Sequence, residues 1–151
     1  MENKNFKINI TKPLAGWSSI IVNDNASEFI GSLSYIDPVP FIFLDIIKSF
    51  LQTGQKQQFE FDEEGTAFIM TLENEQLSFT RENKNTNNTT IFDVEAKEVC
   101  NQIITEIEKN LNDWAEFDAV GQTSEEFIAE VEENKSLLLS KIEEIKKLSI
   151  A

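Results

Sequence analysis

Residues 59–65 read Phe59-Glu60-Phe61-Asp62-Glu63-Glu64-Gly65, with four carboxylates packed between Glu60 and Glu64. On an extended chain successive side chains point to opposite faces. Phe59 and Phe61 therefore share one face, and Glu60 and Asp62 the other. Glu63-Glu64-Gly65 then supplies a turn, with Gly65 able to take a positive φ. So read, the stretch is one arm of an antiparallel hairpin. A chemical reading competes with it: a carboxylate- or metal-dependent hydrolase using Asp62, Glu63 or Glu64. A calcium loop spaces its oxygen ligands around the chain, and these three are contiguous. A glycosidase needs two facing carboxylates, a demand that any pair among 27 acids meets equally well.

The same alternation extends on both sides. Phe6, Ile8 and Ile10 recur at every second position. Trp17 to Val22 is apolar on both faces, which suits a central strand. Phe29, Gly31, Leu33 and Tyr35 alternate with Glu28, Ile30, Ser32 and Ser34. After residue 65, strands are predicted around Phe68–Leu72, Leu77–Phe79 and Thr89–Val94, with a polar loop over Glu82–Asn88.

Between these runs the period changes. Val39, Ile42, Phe43, Ile46, Ile47, Phe50 and Leu51 have helical spacing. Asp37 is placed to cap this helix, Pro38 to occupy its first turn and Gly54 to end it. Ala96 to Trp114 forms a second helical face. Thr123 with Glu126 has capping-box spacing, opening a third helix whose apolar stripe weakens at Glu132–Lys135, where a break or kink is expected. The expected fold is α+β in a single domain over residues 1–151. It has one antiparallel sheet of about six or seven strands, a helix inserted after the third strand, and two C-terminal helices packed on one face. The last helix, 123–148, is about 37 Å long, enough to project from a small sheet or to meet a second chain as a homodimer.

Composition narrows the function classes. The net charge is -14, with 13 bases against 27 acids and no histidine. Arg81 is the single arginine. Nucleic acid and anionic membrane surfaces are disfavoured as partners. The missing histidine removes Ser-His-Asp triads, histidine general bases and histidine-based zinc sites. The scattered glycines form no phosphate-binding motif. Cys100 lies on an apolar helix face with no histidine to activate it, and is expected to be small hydrophobic filler. Neither a membrane-length apolar run nor a secretory signal is seen, so a cytoplasmic location is expected. No cofactor, metal site or catalytic residue is expected.

The acid is concentrated. From Glu106 to Glu133 ten acids stand against the single base Lys109. Repulsion at that density costs stability, and a basic partner would offset it. The expected partner-binding residues are Asp113, Trp114, Glu116, Asp118, Glu125, Glu126, Glu130 and Glu133, an aromatic anchor within an acidic rim. The competing reading has Trp114 and Phe117 closing the core while the acids only face water.

The series Trp17, Ser34-Tyr35-x-Asp37-Pro38, a helix, Phe61-Asp62-Glu63-Glu64, then Val99-Cys100 on a helix looks like that of small bacterial proteins. In size, charge and layout the chain is also similar to the immunity proteins of bacterial polymorphic toxin systems. That resemblance implies a cytosolic, non-enzymatic protein that binds and neutralises a cognate toxin, here a basic one. It assigns no residue a role.

Overall fold

The computed structural model describes residues 5–82, 87–117, 119 and 123–150. The order is β1 (Lys7–Ile10), β2 (Trp17–Asn23), β3 (Glu28–Ser34), α1 (Val39–Thr53), β4 (Gln57–Asp62), β5 (Ala67–Glu73), β6 (Gln76–Glu82), β7 (Asn87–Asp93), α2 (Ala96–Lys109), α3 (Leu111–Ala115) and α4 (Ser124–Ile150). The fold is α+β with antiparallel pairing throughout, and α1 follows the third strand as expected.

The single sheet is not what forms. There are two sheets, β1-β2-β3 and β4-β5-β6-β7. Their inner faces meet through phenylalanines. Phe29 of β3 stacks on Phe79 of β6 at 4.3 Å between centroids and meets Phe68 of β5 edge-on at 5.1 Å. Phe6 meets Phe92 of β7 at 5.7 Å. Gly31 makes the close approach possible, because a Cβ there would lie 2.6 Å from the Phe68 ring. Inward-facing residues are legible from alternation, but the same alternation serves one sheet or two. Ring packing between the inner faces selects two.

The 59–65 stretch ends a hairpin, as read. Asp62 pairs with Ala67, the Glu63 N–H donates to the Thr66 carbonyl, and Glu64 and Gly65 both have positive φ. Two positive φ values give the turn whose twist matches the strands it joins. Leu14 and Trp17 bracket a second such turn, with Ala15 and Gly16 at positive φ.

The helices differ from expectation in three places. At α1 neither Asp37 nor Pro38 sits as expected: Pro38 is the N-cap and Pro40 lies in the first turn, while Asp37 Oδ2 accepts the Asp62 N–H at 2.8 Å. The 96–114 helix divides at Asn110, whose φ of -125° and ψ of 40° leave the helical region, so three helices rather than two complete the chain. Finally, α4 is unbroken over its 27 residues. The gap in its apolar stripe holds Asn134, whose Nδ2 donates to the Ala115 carbonyl at the end of α3. α4 packs on α1 and α3 rather than on a sheet, burying Leu138, Ile142 and Ile145. Gly54 ends α1 in the left-handed conformation as its position predicts. Of the expected 82–88 loop, Glu82 belongs to β6 and Asn87 and Asn88 to β7, paired across the ladder, and residues 83–86 lie outside the described residues.

Candidate binding surface

Several of the distinctive carboxylates hold the fold together, Glu63 and Glu106 above all. Glu63 is the centre of one such site, with a side chain only 5% exposed. Arg81 Nε and Nη2 donate to its two oxygens at 3.1 and 2.7 Å, a bidentate pair. Glu63 Oε2 also accepts the Ser32 N–H at 2.9 Å, and Arg81 Nη2 donates to the Ile30 carbonyl at 2.8 Å. The ion pair thus supplies the β3 edge with the acceptor and donor that a neighbouring strand would have offered. Arg81 also lies 4.8 Å over the Phe29 ring. Burial pushes the Glu63 pKa up, but the Arg81, Ser32 and Thr66 hydrogen bonds and the Arg81 charge outweigh it. The carboxyl is held below the ordinary glutamate value. Beside it the Ser34 hydroxyl donates to Glu64 at 2.6 Å.

The other edge of the three-stranded sheet is closed in the same way. Gln102 Oε1 accepts the Ile8 N–H at 2.6 Å, and Glu106 Oε1 accepts the Ile10 N–H at 2.9 Å. Positions four apart on a helix rise about 6 Å. Positions two apart on a strand advance about 6.6 Å. The two ladders therefore match, and α2 covers an edge that could otherwise template aggregation. Lys109 pairs with the second Glu106 oxygen at 2.7 Å.

With Glu63 committed to Arg81, the Asp62–Glu64 run is a structural seam. Among the described residues no group of three histidine, cysteine or acidic side chains could hold a metal ion. Cys100 is buried on α2, and burial pushes its thiol up to about 12, which keeps it protonated at neutral pH.

The acids expected to bind a partner are placed differently. Trp114 is not in their rim; it is 1% exposed and packs 4.9 Å from Phe117 in the core. Its Nε1 has no hydrogen-bond partner among the described residues. Asp113 is half-buried, 3.9 Å from Lys12 Nζ. Glu116, Glu125, Glu126 and Glu133 are exposed and Glu130 half-buried. Glu126 and Thr123 exchange the two capping-box hydrogen bonds. Asp118 lies outside the described residues. Among the described residues none of Glu116, Glu125, Glu126, Glu130 or Glu133 forms an ion pair. The second half of α4 is unlike this. Lys141 reaches Asp45, Glu144 reaches Lys48 and Lys146 reaches Glu108, at 2.8, 2.6 and 2.9 Å. The Lys48 hydrogen bond lowers the Glu144 pKa and raises that of Lys48.

Tertiary structure brings the 12–16 loop against α3. Between them runs an open groove of about 260 Å³, with Pro13, Leu14, Phe117 and Phe127 as apolar walls and Asp113 and Glu116 as its acids. On the other side of the loop lies an exposed apolar patch. Leu14 is 80% exposed and Trp17 43%, with Tyr35 and Ile36 beside them. Tyr35 is fixed there by its N–H bond to the Gly16 carbonyl and by ring contact over Gly16. Trp17 is at the end of the central strand, as its sequence suggested, but on the outer face. Alternation counted it toward the sheet and gave no sign that it would join Leu14, Tyr35 and Ile36. The available signal was that those apolar residues flank turns where no inner face needs them.

Among the described residues no helix is long and apolar enough to cross a membrane. No family model, no curated protein and no solved structure matches the chain.

Proposed function

We propose that this is a non-enzymatic binding protein that engages a basic protein partner through the acidic surface of α3 and the first half of α4. An immunity protein neutralising a cognate basic toxin in the cytoplasm is the form of that function we favour. The observation that carries it is the contrast along α4. Lys141, Glu144 and Lys146 of its second half pair with α1 and α2, while the glutamates of its first half form no ion pair among the described residues. Unanswered like charges on one helix reduce stability. A surface that tolerates them gains if a cationic partner answers them, and long-range attraction would speed the encounter. The apolar residues around Leu14 and Trp17 add the uncharged centre that such interfaces need.

The test begins with co-purification from the native cell at low salt, followed by association rates of the captured partner. The rate is expected to fall steeply between about 50 and 300 mM salt as screening shortens. It should also fall on replacing Glu125, Glu126, Glu130 and Glu133 by lysine. Salt-insensitive association, or binding mapped to the four-stranded sheet, would overturn the reading. A thermal shift on adding Mg²⁺, Ca²⁺ or Mn²⁺ would instead favour the hydrolase.

A further inference from the structure

The groove beside the 12–16 loop has a specific chemistry. Its walls are apolar, from Leu14, Phe117 and Phe127, and its acids are Asp113 and Glu116. A groove lined by both apolar side chains and carboxylates suits a side chain with a methylene stem and a cationic head. The protein already places such a group there. Lys12 stands with its ammonium 3.9 Å from Asp113, a long contact made by a side chain that is 67% exposed. At that distance and exposure the pair is weak, and Lys12 is easily displaced. An arginine matches the groove better than a lysine. Its guanidinium is less strongly hydrated, and its fork of donors can bridge two carboxylates where an ammonium acts as a point charge.

We propose that this groove receives an arginine side chain of the basic partner, seated between Asp113 and Glu116 in place of Lys12. The inference rests on the acidic-surface reading and gives it an anchor. Leu14 belongs both to the groove and to the patch with Trp17, Tyr35 and Ile36. An apolar residue next to that arginine therefore lands on the patch. The partner segment so defined is a basic one with arginine beside an aliphatic or aromatic residue.

The experiment uses the whole protein, labelled with ¹⁵N, at low salt. The probe is a blocked peptide of alternating arginine and leucine, compared with the same peptide carrying citrulline, which keeps the shape and loses the charge. Saturable shifts are expected at the amides of Leu14–Trp17 and Asp113–Phe117. The citrulline peptide should bind about tenfold more weakly, as expected for loss of a charge-assisted fork. Asp113→Asn with Glu116→Gln should weaken the arginine peptide by a similar factor while leaving the thermal midpoint in place, and Lys12→Ala should strengthen it. If the double substitution perturbs folding, Glu116→Gln alone, on an exposed side chain, carries the comparison. Shifts spread along Glu125–Glu133 with affinity unchanged by these variants would overturn the groove and leave the acidic surface standing. No salt-sensitive binding of either peptide would overturn both.

Discussion

Glu106 and Glu132 are both helical glutamates of the acidic C-terminal region, and they live in opposite surroundings. Glu106 is 7% exposed, holds the Ile10 N–H and pairs with Lys109. Glu132 faces water, with no ion pair among the described residues. Glu63 belongs with Glu106: buried, bonded to a strand edge and matched by a cation. Glu125, Glu126 and Glu133 belong with Glu132. The difference shows that a net charge of -14 describes two populations. One is consumed in closing the edges of the three-stranded sheet. The other faces water along the first half of α4, with no ion pair among the described residues.

The sharpest way to break this contrast is to remove a cation from the buried population. Arg81→Ala leaves Glu63 buried and charged and the Ile30 carbonyl without its donor. The expected loss is about 3 kcal/mol in urea unfolding, since stripping one partner from a buried pair is costly. Retained stability would mean that the seam does not hold the sheets. The same deficit should depend on pH. The folded Glu63 pKa is depressed, so the unfolded chain binds the proton more readily in acid. The stability from this pair is complete above the ordinary glutamate value of about 4.3 and is lost as pH falls through the lower folded value. The gap between wild type and Arg81→Ala should therefore narrow below about pH 4.

A smaller loss tests the space between the sheets rather than the charge at their edge. Gly31→Ala puts a methyl 2.6 Å from the Phe68 ring, and should cost about 2 kcal/mol by overpacking. Glu106→Ala strands the Ile10 N–H beneath α2, and about 1.5 kcal/mol is expected, in the range for an unsatisfied buried donor. Faster exchange of the Ile10 amide would locate the damage. The free population should respond in the other direction. Glu130→Lys replaces the like charges that Glu130 meets one turn away at Glu126 and Glu133 with opposite ones, and should leave stability unchanged or raise it by up to about 0.5 kcal/mol. A loss of 2 kcal/mol or more there, outside the range for an exposed pair, would erase the distinction between the two populations.

How much of this was legible varies by element. Helix α1 and the hairpin at Glu64-Gly65 could be read because local chemistry decides them: period, and a glycine free to take positive φ where each ends or turns. The Thr123–Glu126 capping box was equally local and is present. Asp37 shows the limit. It has the right type and position for a helix cap, yet its carboxylate takes the Asp62 N–H, a residue 25 positions away. Trp114 looked the same from sequence whether core or anchor, because a helical face says what is apolar and not what will cover it. The Leu14–Trp17–Tyr35 patch was hidden for the converse reason, since its members come from two turns that only the fold brings together.

The amino-acid order by itself determined most of the strands, the course of α1, their inward faces and the excess of acid near the C-terminus, because periodicity and composition act over a few neighbouring residues. Tertiary structure decided that the strands divide into two sheets, that Glu63 and Glu106 close sheet edges, and that Asp113 and Glu116 face the 12–16 loop across a groove. Those outcomes depend on ring packing and hydrogen bonds between residues 18 to 96 positions apart, where free energy is settled by which surfaces meet rather than by what any short segment prefers.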